Sequence, residues 1–189
     1  MKNLVFIFLS LSISFNSVQA QQSKKEKNKA DTEEAPPRDS VTGNFKYQEV
    51  VKADSSLTKP EMFNRAKSFL LKKYISSSDI INLADINNGE IITKVSDIYP
   101  EIGKAWIEDN TVEYTITIEI KDGRYRYTFT DFIHKYLIGK YTTLEVRPLE
   151  STFNVYEKQM WKATHETVSQ IIIELKQAIE GKPKVDGDW

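Results

Sequence analysis

Chemistry at a protein surface needs side chains of particular types held close together, and in this chain the supply is short. There are two histidines, His134 and His165, and no cysteine among 189 residues. A zinc site takes three or four ligands with convergent geometry, and nothing in the sequence spaces histidines or thiols that way. Nucleophilic catalysis needs a residue activated by an adjacent base. With no cysteine, and with His165 at the margin of a helix's apolar stripe, the candidates shrink to Ser, Thr or Lys with no recognisable partner. Paired carboxylates could do acid–base work, but the acids placed by the pattern face solvent on strands or flank turns, and a carboxyl pKa rises with burial or a close like charge. Convergence of Asp131 with His134, or of Glu166 with His165, in a buried cleft would reverse this reading. No catalytic, cofactor-binding or metal-ligating residue is therefore assigned. Arg124-Tyr125-Arg126-Tyr127 has the composition of a nucleic-acid strip, yet strand alternation sends its tyrosines to one side and its arginines to the other.

The amino terminus bears an address. Lys2 precedes an apolar run from Leu4 to Phe15, and Val18-Gln19-Ala20 has the residues of a cleavage site, so residues 1–20 are expected to be a signal peptide cut between Ala20 and Gln21. The run is too short for the roughly 20 residues that span a bilayer. Gln21 is not a cysteine to be acylated, so a lipoprotein is not expected, and the mature chain should be soluble in the periplasm or outside the cell, with no integral membrane segment. Cleavage takes one lysine, leaving 25 basic residues against 27 acidic ones and a charge of about −2. That balance excludes general nucleic-acid binding, which draws on a basic surface to release counterions. Residues 21–42 are polar, contain Pro36-Pro37, and read as a disordered lead.

The elements that would position a site begin near Gly43. Phe45, Tyr47 and Glu49 alternate with polar neighbours as a first strand. Thr58 and Glu61 form a capping box with Pro60 in the first turn, opening a helix whose stripe runs through Met62, Ala66, Phe69 and Leu70 and which Ser76-Ser77-Ser78 stops. Residues 80–98 read as two strands around the Asn87-Asn88-Gly89 turn, and 99–110 as an irregular segment in which Trp106 tucks onto the core. The strongest pattern is a hairpin about Asp122-Gly123. One register puts Ile120 opposite Tyr125, Ile118 opposite Tyr127 and Ile116 opposite Phe129, with Glu119–Arg126, Thr117–Thr128 and Thr115–Thr130 on the other side; a one-residue slip would swap the faces. This fifth strand is expected to close at His134. A last helix of about 26 residues, some 39 Å long, starts at Asn154 and stops at Gly181, with Trp161, Val168, Ile171, Ile172, Leu175 and Ile179 as its stripe; residues 182–189 are a polar tail.

Strand, helix, four strands, helix, with one wet sheet face, makes an α+β fold: an open, twisted antiparallel sheet with both helices on one face. That order resembles a repeat of the TATA-binding-protein (TBP) fold. More closely, it resembles a domain family of unknown function with a TBP-like fold found in exported bacterial proteins. The matching residues are Phe45, Tyr47, the helix around Ala66-Lys67-Ser68-Phe69-Leu70, the stretch Ile118-Glu119-Ile120-Lys121-Asp122-Gly123-Arg124-Tyr125-Arg126-Tyr127, and Trp161. The resemblance implies a domain over 43–181 and no activity. The DNA-binding use of the fold needs apolar wedges and basic side chains on the open face. Here that face is expected to carry Glu113, Thr115, Thr117, Glu119, Arg126, Thr128, Thr130 and Phe132.

The function expected is therefore that of an exported binding module with no chemistry. Its contacts would fall on the open face at Glu119, Arg126, Thr128 and Phe132, or along a sheet edge, and its partner would be a protein or peptide. The alternatives are a carrier holding a small hydrophobic ligand between sheet and last helix, lined by Tyr114, Tyr125, Tyr127, Phe129 and Trp161, and, third, a hydrolase.

Overall fold

The computed structural model describes residues 36–74, 81–100, 102, 107–138, 143–151 and 155–181. Along the chain run β1 (Tyr47–Lys52), α1 (Lys59–Lys73), β2 (Ile81–Asp85), β3 (Glu90–Ile98), β4 (Ile107–Lys121), β5 (Arg124–Ile138) and β6 (Thr143–Pro148); a 3-10 turn at Leu149–Ser151 leads to α2 (Val155–Glu180). All pairings are antiparallel, in the order β1-β5-β4-β3-β2, with β6 also on β5. β1 takes residues 124–129 of β5 and β6 takes residues 133–138, so two short strands share one flank of β5 end to end.

The first helix forms where its start signal stands. Thr58 Oγ1 accepts from the Glu61 amide at 3.4 Å, and Lys72 and Lys73 lie in the last turn of α1, where the helix dipole favours cations. The Glu61 carboxylate does not close the capping box; it takes Arg65 Nη2 at 2.5 Å. Met62, Phe63, Ala66 and Leu70 of α1 join Met160, Val168, Ile171, Leu175 and Ile179 of α2 in one core with the inward residues of the sheet. The hairpin register follows the expected pairs on both faces, from Ile120–Tyr125 to Thr115–Thr130.

The structure departs from the sequence expectation in several places, each with a local cause. The turn between β2 and β3 is four residues long. Asp85 Oδ1 accepts from the Asn87 and Asn88 amides at 2.9 and 3.2 Å, and its carbonyl from Gly89 at 2.8 Å. Gly89 has φ +73°, and a Cβ there would collide with the Ile120 carbonyl. β5 does not close at His134 but runs on to Ile138, because a bulge intervenes. The register shifts between Glu113 and Thr115, and Asp131 takes φ 57°, a left-handed conformation that aspartate tolerates better than most residues. The extra residue resets the alternation, so Phe132 (2 % exposed) and His134 (1 %) turn into the core. Phe132 is thus not on the open face. β4 begins at Ile107, inside the stretch read as irregular, and β6 is a sixth strand the pattern did not announce. The ordered body starts before residue 43: Pro36 is buried, the Lys46 amide bonds the Pro37 carbonyl at 2.9 Å, and the Arg38 guanidinium lies 4.4 Å from the Phe45 ring centre. The expected signal peptide with its Ala20–Gln21 junction, Ser76-Ser77-Ser78, Trp106, Asn154 and the tail lie outside the described residues.

Candidate binding surface

The face opposite the helices is built from alternate residues of every strand. Its centre is a block of four threonines, Thr115 and Thr117 on β4 against Thr130 and Thr128 on β5, with Gln48 of β1 and Ile92 of β3 beside them. Ion pairs bracket this block. Arg126 grips Glu119 through Nε at 2.5 Å and Nη2 at 2.6 Å, the two-pronged geometry that makes arginine–carboxylate pairs strong. At the other end Glu113 receives Lys135 Nζ at 2.8 Å and Lys94 Nζ. Burial opposes ionisation of Glu113, but the two ammonium groups outweigh it and hold the carboxyl below its ordinary value. Beyond Glu113 the face turns apolar, through Ile133 and Leu137 on β5, Leu144, Val146 and Pro148 on β6, and Ile98 on β3. Leu144, Val146 and Ile98 are 61, 53 and 69 % exposed. Glu119, Arg126 and Thr128 thus sit together, while the apolar end was not anticipated; the alternation of Leu144 and Val146 was its only sequence signal.

The packed side is filled with rings. Phe132 stacks on Tyr114 at 5.2 Å and lies 5.9 Å from Tyr47, and Phe129 contacts Tyr114 and Tyr47 at 6.0 and 6.3 Å. Trp161 meets Phe45 edge-on at 5.5 Å and donates Nε1–H to the Leu149 carbonyl at 2.8 Å. The aromatic side chains proposed to line a ligand cavity therefore pack on one another and on their neighbours. On the outer side of the helices a groove of about 610 Å³ runs past Arg65, Phe69, Lys72 and Lys73. Arg65 is engaged by Glu61 and the Ile179 carbonyl, and Lys73 by Glu174 at 2.8 Å.

One buried acid does exist. Asp97, at the end of β3, accepts from Tyr114 Oη at 2.5 Å, and Tyr114 Oη lies 3.1 Å from Tyr74 Oη. Burial pushes the Asp97 carboxyl up, against the opposing hydrogen bond from Tyr114 and the charge of Lys73. Burial also drives the neighbouring Tyr99 hydroxyl up to about 12. This corrects the expectation that no carboxyl sits in a pKa-raising environment. The cluster has one carboxyl and three phenols, which serves packing and hydrogen bonding. Neither histidine joins it. His134 donates from Nε2 to Asn110 Oδ1 at 3.2 Å while Asp131 is exposed, and His165 Nδ1 shares a 2.9 Å hydrogen bond with Tyr47 Oη. The two acid–histidine pairs that would have signalled catalysis are not formed. Among the described residues no three His, Asp or Glu side chains are grouped as metal ligands, and no helix is long and apolar enough to cross a membrane.

An open six-stranded antiparallel sheet with two helices is the TBP-like fold, and solved structures share it. A TBP-like protein from Parabacteroides distasonis superposes with a TM-score of 0.63 at 18 % identity, over 78 % of this chain and 98 % of its own. A DUF4468 family protein from Bacteroides ovatus gives 0.60 at 15 % identity, over 80 % and 93 %. Residues 47–135 match the family described as a domain of unknown function (DUF4468) with TBP-like fold. No curated protein sequence matches the chain.

Proposed function

We propose that this protein is an exported interaction module that performs no chemistry and takes a protein or peptide on the open face of its sheet. The carrying observation is the division of the sheet. The apolar stripes of both helices join the core on one side, while the other side, among the described residues, bears no packed element and ends in an exposed apolar strip. Contiguous apolar surface of this kind, rimmed by polar groups, is what protein contacts use. Glu113 and Glu119 hold Lys94, Lys135 and Arg126 in ion pairs, so the middle of the face offers a partner threonine hydroxyls and apolar shape. Export rests on the sequence of residues 1–20.

A photo-cross-linking amino acid at Thr128, on the open face, and another at Ser68, on the exposed side of α1, test the reading in the host. Discrete protein adducts at Thr128 and none at Ser68 are expected. Identical adduct patterns at the two positions, or adducts at Ser68 alone, would refute it.

A further inference from the structure

We propose that the outer edge of β6 pairs with the same edge of a second copy, joining two sheets across a two-fold axis at Val146. Among the described residues β6 hydrogen-bonds to β5 on one side and to no strand on the other. Proteins blunt such edges with bulges, charged side chains (lysine above all), prolines or a covering element. The other outer strands carry these devices. β2 has a register shift between Ile81 and Leu83. On β1, Glu49 is tied to α2 through Lys176 at 2.6 Å, and the strand ends in Lys52. β6, Thr143-Leu144-Glu145-Val146-Arg147-Pro148, has neither bulge nor lysine; its proline stands at the last position, and its two charges are of opposite sign.

What commits this edge to a second copy is that it is complementary to itself. A two-fold interface is isologous, so residue i meets j and j meets i. With the axis normal to the sheet at Val146, Val146 meets Val146 and Leu144 meets Pro148 on the open face. On the opposite face Glu145 meets Arg147, twice. Such an axis keeps open face beside open face, so alternative registers come in steps of two residues. The step in one direction sets Glu145 against Glu145 and the step in the other sets Arg147 against Arg147, and like charges directly opposite are destabilising. One register therefore satisfies both faces. The side chains are accessible for it: Leu144 and Val146 are more than half exposed, and the Glu145 and Arg147 side chains are 40 and 35 % exposed. Within one chain Glu145 and Arg147 are 3.9 Å apart, a long ion pair, while Arg147 donates from Nη2 to Tyr136 Oη and lies 5.1 Å over that ring, contacts that hold the guanidinium beside the edge. The dimer would join the apolar ends of two open faces into one strip, and its formation does not depend on what binds that face.

The full chain is measured by sedimentation equilibrium, alone and as variants. Wild type is expected to associate as a dimer. Glu145→Arg and Arg147→Glu, which each set like charges across the axis, are expected to be monomers. An equal mixture of these two variants is expected to form mixed dimers, because one edge is then all positive and the other all negative; the double variant E145R/R147E is expected to recover the homodimer. Val146→Lys, at a half-exposed position, should weaken association by roughly tenfold or more, about 1.4 kcal/mol per tenfold. A monomeric wild type, variants that stay dimeric, or a mixture that fails to associate would each overturn the proposal. A variant that merely misfolded would not be rescued by mixing.

Discussion

Ile118→Ala, set beside Thr128→Ala, probes the two faces of the sheet at neighbouring positions. Ile118 is fully buried on β4, with Ile91 opposite on β3 and Tyr127 opposite on β5. Truncation removes three carbons, a transfer loss of about 2.4 kcal/mol at ~0.8 kcal/mol per buried methylene. The site cannot collapse easily, because strands flank it on both sides, so a cavity cost adds to the transfer loss and brings the total to about 2.5–5 kcal/mol. Thr128 is half-buried on the open face opposite Thr117, and losing its hydroxyl and methyl should shift stability by no more than about 0.5 kcal/mol. A urea titration followed by tryptophan fluorescence reads both: the midpoint should fall sharply for Ile118→Ala and barely for Thr128→Ala, with the denaturant slope unchanged. Equal losses, or a larger loss at Thr128, would mean that the assignment of inward and outward faces is wrong.

Other expectations follow from the same geometry. Phe132→Ala should cost about 3–5 kcal/mol in the same titration, whereas a Phe132 on the open face would leave stability nearly unchanged. Gly89→Ala should lose more than about 1 kcal/mol, because φ +73° is unfavourable for alanine and its Cβ would meet the Ile120 carbonyl; full stability would contradict the turn. Asp97 binds its proton more tightly folded than unfolded, so the folded state holds more protons and wild type loses stability relative to Asp97→Asn as pH rises from the ordinary value of 3.8 through the raised folded one; a difference that is flat or reversed across that interval would show an ordinary carboxyl. Protein recovered from the periplasm or medium should begin at Gln21, and a full-length chain in the inner membrane would defeat the export proposal.

The sequence made the hairpin legible because two independent patterns, apolar pairs on one face and charge or threonine pairs on the other, agreed on one register. Both helices were legible from Thr58, Gly181 and their stripes. The misses share a cause, which is that period-two reasoning carries no information across a bulge. Asp131 is an ordinary residue in the sequence, yet its left-handed backbone inserts one position into β5, so Phe132 and His134 exchange faces. The sixth strand was hidden by its brevity and its proline end. Asp97 was hidden because its burial comes from α1, β4 and α2 closing over the end of β3, with Tyr74, Tyr114 and Tyr99 gathered from far apart in the chain. Of the proposed contacts, Glu119, Arg126 and Thr128 were placed by alternation. The apolar end depends on β6 folding back beside β5, a pairing that no local pattern encodes.

The absence of cysteine allows the open face to be tested where the protein works. A single cysteine replaces Ser96, exposed on the open face opposite Glu113, and in a second chain Ser68, exposed on α1. Labelling by a small thiol reagent is then timed in purified protein and in intact cells. If a partner occupies the open face, Ser96→Cys should label freely when purified and be protected in cells, while Ser68→Cys labels alike in both. Equal labelling of Ser96→Cys in the two settings would contradict the account.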